Sequence, residues 1–138
     1  MSAARLAALA ATSAALALAP VAVNAHPEEI RTDFEHVIPN IPGKSLVVLV
    51  VSYEPGVKSA SHRHAGSAFI YARVLSGTIR SQVNDEPAKV YQAGEGWYEL
   101  PGSHHRVSEN ASDREPASLL AIFVVDTNDR PLTTPDHQ

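Results

Sequence analysis

The chain has 138 residues, 44% of them hydrophobic and only 19% charged, a length suited to one domain. Its 11 Lys and Arg against 15 Asp and Glu give a formal charge of −4 with no basic block, which argues against a nucleic-acid partner, since such binding leans on clustered cations. With no cysteine, disulfide frameworks, thiolate metal sites and thiol nucleophiles are excluded together, and seven histidines are left as the place to look for chemistry.

Residues 1–25 read as a leader rather than as part of the fold. Arg5 precedes an Ala/Leu-rich run from Leu6 to Ala19, and the stretch ends in Val23-Asn24-Ala25, whose small residues suit a signal peptidase. Cleavage is expected after Ala25, sending the chain to the periplasm or outside the cell with no remaining membrane attachment. The run is shorter than the roughly 20 residues that span a bilayer; an uncleaved helical anchor or an Ala-rich tail are the other readings.

Residues 26–44 contain Pro27, Pro39, Pro42 and Gly43 and read as an irregular arm. From there the chain reads as strands and turns. Ser45–Tyr53 is a β-branched run expected to be a buried strand, closed by the turn Glu54-Pro55-Gly56. Ser67–Leu75 and Gly77–Val83 are joined tightly at Ser76-Gly77. Asn84-Asp85 turns into a short strand about Lys89–Tyr91, and Gly94-Glu95-Gly96 leads into Trp97–Leu100. After Pro101-Gly102 come a strand from Ser103 to Ser108, a polar loop, and a last apolar strand over Ala117–Asp126. Residues 127–138 read as a frayed tail. Short strands with turn signals between them, and no helical periodicity after the leader, predict a single all-β domain over 45–126, a sandwich or barrel.

His62-Arg63-His64 is an H-x-H pair. On a strand the two imidazoles share a face roughly 6.5–7 Å apart at Cα, close enough to converge on one ion at about 2.0–2.1 Å per bond; the plain alternative is two surface histidines on a polar strand edge. A second cluster, His104-His105, follows Pro101-Gly102, and on a strand its two members face opposite ways.

Gly56, His62, His64 and Gly77 follow the pattern G-x5-H-x-H-x3,4-E-x6-G. Gly94 or Gly96, Pro101-Gly102, His105 and, loosely, Asn110 follow G-x5-P-x-G-x2-H-x3-N. In these two motifs, and over about residues 45–126, the chain resembles the cupin superfamily. The resemblance implies a jelly-roll β-barrel and a divalent transition metal (Fe, Mn, Zn, Ni or Cu) held by His62, His64 and His105. Two departures stand out. The acidic position of the first motif falls at Ala68, Phe69 or Ile70, and no Asp or Glu occurs between Pro55 and Asn84. In the second, position 109 is Glu and the Asn is displaced to 110.

Glu99 is the candidate acid to replace the missing carboxylate from another strand, a solvated edge residue being the alternative. Tyr98 is a candidate proton or hydrogen-bond donor, although alternation lets only one of Trp97 and Tyr98 face a pocket. Phe69, Tyr71 and Trp97 are either pocket walls or core, and His104 is either a solvent-facing neighbour or a ligand. Because the family includes three-histidine dioxygenases, the resemblance implies a metal-dependent dioxygenase acting on a small chelating substrate. A non-catalytic module for a metal or small ligand, or a metal-assisted isomerase or lyase, are the alternatives. A homodimer is expected by analogy with small cupin-like domains.

Overall fold

The structure is a computed structural model that describes residues 28–136. The leader at 1–25, its cleavage position and the last two residues of the tail lie outside the described residues. Among the described residues there are ten strands and no helix, and hence no helix long and apolar enough to cross a membrane.

The strands are β1 (Glu29–Val37), β2 (Lys44–Tyr53), β3 (His62–His64), β4 (Phe69–Ser76), β5 (Thr78–Val83), β6 (Lys89–Gln92), β7 (Gly96–Glu99), β8 (His104–Asn110), β9 (Ala117–Asp126) and β10 (Thr133–Pro135). They form two five-stranded sheets of order β1-β2-β9-β4-β7 and β10-β3-β8-β5-β6. Every pairing is antiparallel. The result is an all-β jelly-roll sandwich.

The long strands form where β-branched residues repeat. β2 and β9 pair along their whole length, Lys44 opposite Asp126 through Tyr53 opposite Ala117, and every second residue of each is buried. That alternation is what a sheet with one face on a core requires. Phe123, Ile79, Val47, Val74 and Val125 are the largest fully buried side chains, each worth about 1.5–3 kcal/mol in apolar surface removed from water. The turn from β4 to β5 depends on Gly77: its φ is +67°, and a Cβ there would meet the Pro116 carbonyl oxygen at 2.4 Å.

Two segments depart from the sequence reading. The irregular arm expected at 26–44 contains β1, a nine-residue edge strand paired with β2. Its prolines flank the strand instead of interrupting it, and all nine residues of the strand are exposed, so it lacks the buried face by which β2 and β9 are recognised. The tail expected to fray instead contributes β10, which covers the free edge of the three-residue β3; Pro135 fits there because an edge strand tolerates a missing donor.

Asn110, despite its displacement from the family pattern, is buried and ties two loops together. Its Nδ2 donates to the carbonyls of Glu54 (3.2 Å) and Glu115 (2.8 Å), and its Oδ1 accepts from the Ser112 amide (2.9 Å).

Candidate metal centre

β3 lies between β10 and β8, with His62 opposite His105 and Arg63 opposite His104. Directly opposed residues project to the same face, so His62, His64 and His105 point into the sandwich and Arg63 and His104 point out. The segment before β3 is stitched to β8 by Ser59 N–H to Ser108 O (2.9 Å) and Asn110 N–H to Val57 O (3.0 Å). This places the two histidine clusters, far apart in sequence, on adjacent strands.

The structure brings the three predicted histidines together. One coordinating nitrogen from each lies within 4.8 Å of the others, and the rings stand 4.8 Å (His62–His64), 5.0 Å (His62–His105) and 6.0 Å (His64–His105) apart between centroids. Each imidazole has one nitrogen engaged with the protein. His62 Nδ1 donates to the Ala60 carbonyl (2.7 Å), and His64 Nδ1 lies 3.3 Å from the Leu132 carbonyl and 3.2 Å from Thr133 Oγ1. His105 Nε2 meets Ser81 Oγ at 2.9 Å. The opposite nitrogens, Nε2 of His62 and His64 and Nδ1 of His105, are left for the interior. An outer hydrogen bond of this kind fixes the tautomer and ring orientation of a metal-binding imidazole.

Glu99 joins this cluster from the other sheet. It is the last residue of β7, only 2% exposed, not the solvated edge residue that was its alternative reading. Its Oε2 is 3.5 Å from His64 Nε2 and its Oε1 is 3.3 Å from His105 Nδ1. Trp97, two residues earlier and on the same face of β7, donates Nε1–H to Oε1 at 3.2 Å. Oε2 is buried and has no hydrogen-bond partner.

The electrostatics follow from burial. Loss of hydration pushes His64 down to about 4 and His105 to about 3, with the neighbouring His62 adding to both shifts. Burial likewise pushes Glu99 up to about 7, against the opposing Trp97 hydrogen bond. Near neutral pH His64 and His105 are therefore uncharged, and their contacts with Glu99 are not ion pairs. Neutral imidazole is the state that binds a metal. The residues present fit a divalent cation: three imidazole nitrogens and a carboxylate oxygen with no hydrogen-bond partner, in a place where an orphaned polar atom costs about 1–3 kcal/mol.

The cluster opens on a cavity of about 70 Å³. Its walls are largely apolar, among them Leu49, Ile70, Leu119 and Phe123, and no Lys or Arg lines it. Tyr53, Ser59 and Ser108 contribute a hydroxyl cluster, with Tyr53 Oη 2.8 Å from Ser59 Oγ and 2.9 Å from Ser108 Oγ. Sequence reasoning missed this cluster. Tyr53 reads there as the end of an apolar strand, and nothing local connects it to a serine 55 residues away.

Two other expectations are corrected, and His104 takes the first of its two readings. Tyr98 is not in the site: it is 63% exposed on the outer face of β7 and packs near Phe69, so Trp97 is the residue that faces inward. Phe69 and Tyr71 are likewise exposed on the outer face of β4, where alternation gives the interior to Ile70 and Ala72. His104 is turned away from the cluster, its Nε2 at 2.6 Å from Asp136 Oδ2 and 3.0 Å from Ser61 Oγ.

Comparison with known proteins agrees with this architecture. A solved structure of an uncharacterized conserved protein with a double-stranded β-helix domain from Klebsiella pneumoniae is 21% identical, with a TM-score of 0.60 over 75% of this chain and 81% of that one. The DMSP lyase DddQ from Ruegeria pomeroyi is 17% identical, with a TM-score of 0.57 over 67% of this chain and 43% of its own. An oxalate oxidase is 18% identical at the same TM-score, over 66% of this chain and 46% of its own. The chain thus spans less than half the length of either enzyme. No curated protein matches it. The family model described as "Cupin domain" matches residues 49–123, a span that holds both histidine clusters and Glu99. With its motifs, its two-sheet barrel and this match in agreement, the chain belongs to the cupin family.

Proposed function

We propose that this protein is an exported cupin that holds a divalent transition metal through His62, His64 and His105 and acts as a metal-dependent dioxygenase on a small chelating substrate. The observation that carries the reading is the arrangement of the three imidazoles. Each has its outer nitrogen engaged with the protein and its other nitrogen left for a cavity in which both His64 and His105 are neutral. When bound, the metal would supply Lewis acidity and a template for two reactants. Ferrous iron is the first metal to try, since three-histidine dioxygenases occur among the proteins the motifs resemble.

The chain's own residues narrow the substrate. The cavity of about 70 Å³ admits a ligand of a few heavy atoms. Its apolar walls exclude water and strengthen polar contacts inside. With no Lys or Arg in the lining, a second anionic group on the substrate would find no cation, so a monoanionic chelate such as an enolate or diketonate suits the site. The hydroxyls of Tyr53, Ser59 and Ser108 are placed to meet an oxygen of such a ligand. Export rests on the composition of residues 1–25.

The experiment is to purify the chain, quantify bound metal, reload with ferrous iron without oxygen, and follow O2 uptake with a panel of small diketones. About one equivalent of metal, lost in His62→Ala, His64→Ala and His105→Ala, with substrate-dependent O2 uptake, is the expected result. Saturable ligand binding with no O2 consumption would instead mark a binding module. That second reading is favoured by the carboxyls of the cavity lining, which are only Glu28 and, beside the histidines, Glu99.

A further inference from the structure

We infer that the carboxylate of this metal centre has moved to a neighbouring strand, so that Glu99 of β7 is a direct metal donor alongside His62, His64 and His105. The inference rests on the metal-binding reading above and extends it to a residue that lies outside both histidine motifs.

The register makes the case. Ile70 of β4 lies directly opposite Glu99 of β7, and both are 2% exposed on the inner face of the same sheet. Position 70 belongs to the three-residue stretch Ala68–Ile70 where the first motif places its acid, and none of the three can ligate. The residue across the ladder can: adjacent strands are about 4.8 Å apart, a distance that a Glu side chain spans. An apolar residue on one strand and an acid on its partner thus deliver to the interior what one strand does not.

The carboxylate is also prepared for one bond in particular. Trp97 Nε1–H takes Oε1, and Oε2 has no partner although it is buried. Its nearest neighbour among the histidines is His64 Nε2 at 3.5 Å, a nitrogen whose ring is already held from the other side by β10. Trp97 is accordingly a positioning residue: it fixes which oxygen of Glu99 remains to bind. A bound divalent ion with one carboxylate carries a net +1, which matches a monoanionic chelate.

The test uses the full chain with Zn(II) or Co(II) alone as probe. Zn(II) affinity is measured against a chromophoric chelator, and the visible spectrum of the Co(II) form reports the donor set. Glu99→Gln keeps the shape and removes the anionic donor. It should weaken Zn(II) binding by at least about tenfold, the lower end of what even an outer partner contributes, and should change the Co(II) bands. Trp97→Phe should weaken binding less and leave one carboxylate donor. An independent reading avoids any folding defect in the variants: one equivalent of Zn(II) added to the unaltered protein should shift a carboxyl band in the infrared difference spectrum. Unchanged affinity and Co(II) bands in Glu99→Gln, with metal still lost in His62→Ala, would overturn the inference and leave the three-histidine site standing. So would an infrared spectrum with no carboxyl change. An unaltered protein that binds neither ion would overturn both readings.

Discussion

The two sheets of this barrel are built on different terms. In the β1-β2-β9-β4-β7 sheet the central strands are eight to ten residues long and buried on alternate positions, and β2 pairs with β9 without a break in register. In the β10-β3-β8-β5-β6 sheet the strand that carries His62 and His64 has three residues; its histidines are held by Ala60, Leu132 and Thr133, as His105 on the adjacent β8 is held by Ser81. One sheet supplies stability through repeated small apolar contacts. The other supplies a site through a few non-local hydrogen bonds, and takes from the first sheet the apolar walls of the cavity, the Tyr53 hydroxyl, and Glu99 with its Trp97 donor. Substitutions should therefore separate the two: stability falls when the long-stranded sheet is cut, and ligand binding falls when the short-stranded one is.

The largest effect is expected at Phe123, which is 1% exposed in the middle of β9 and also stands edge-on to the His64 ring at 5.3 Å. Phe123→Ala should cost about 3–5 kcal/mol of unfolding free energy in denaturant titration, as large-to-small changes in packed cores do. It also tests the division of labour from the side of the core. If metal affinity falls as far as stability does, the long-stranded sheet shapes the site as well as supporting it. Asn110→Ala comes next, in the loops beside the site. Removing three hydrogen bonds and leaving the Glu115 carbonyl without its shortest partner should cost about 2 kcal/mol. A loss well below 1 kcal/mol would mean that water replaces the amide.

The long-stranded sheet was also the more legible in sequence. Ser45–Tyr53 and Ala117–Asp126 can be recognised from β-branched content and alternation, because the physics that buries them acts on residues i and i+2. His62, His64 and His105 were legible through spacing, since H-x-H on a strand forces two imidazoles to one face. Glu99 was readable only as an acid near a turn. Its meaning depends on Ile70 standing opposite it, a register that no local pattern encodes. β1 and β10 were hidden for the same reason: each exists because a partner strand presents an edge to it, β2 to β1 and β3 to β10. The choice between Trp97 and Tyr98 stayed open in sequence because alternation tells which residues share a face and not which face is inward.

A smaller effect is expected at Ser81, whose hydroxyl meets His105 Nε2. Ser81→Ala should leave the melting curve within about 1 kcal/mol of the original and lower Zn(II) affinity by about tenfold, as loss of an outer partner to a ligating imidazole does. Equal losses in stability and affinity would show that the hydroxyl holds β5 to β8 more than it orients the ring.

The smallest effect concerns Asp129, in the turn that follows β9. Its Oδ2 accepts from the Ser67 hydroxyl (2.7 Å) and amide (2.9 Å), and the Ser67 hydroxyl in turn accepts from the Asp126 amide (3.0 Å). These bonds, the hydroxyl first, hold the carboxyl below its ordinary value of 3.8. A depressed folded value means that the unfolded chain takes up the proton first as pH falls. The stabilisation is therefore fully present above about pH 4 to 5 and is lost as pH drops through the folded value below 3.8. Asp129→Asn should flatten that part of the stability-against-pH curve and leave the curve near neutrality almost unmoved, read as melting temperature from pH 2.5 to 7. Because the turn leads from the long-stranded sheet towards β10, the same titration followed by Zn(II) binding tests whether the two sheets are coupled there. An acid-dependent loss of affinity that Asp129→Asn abolishes would place the coupling at Ser67, and an unchanged profile would leave the site independent of that turn.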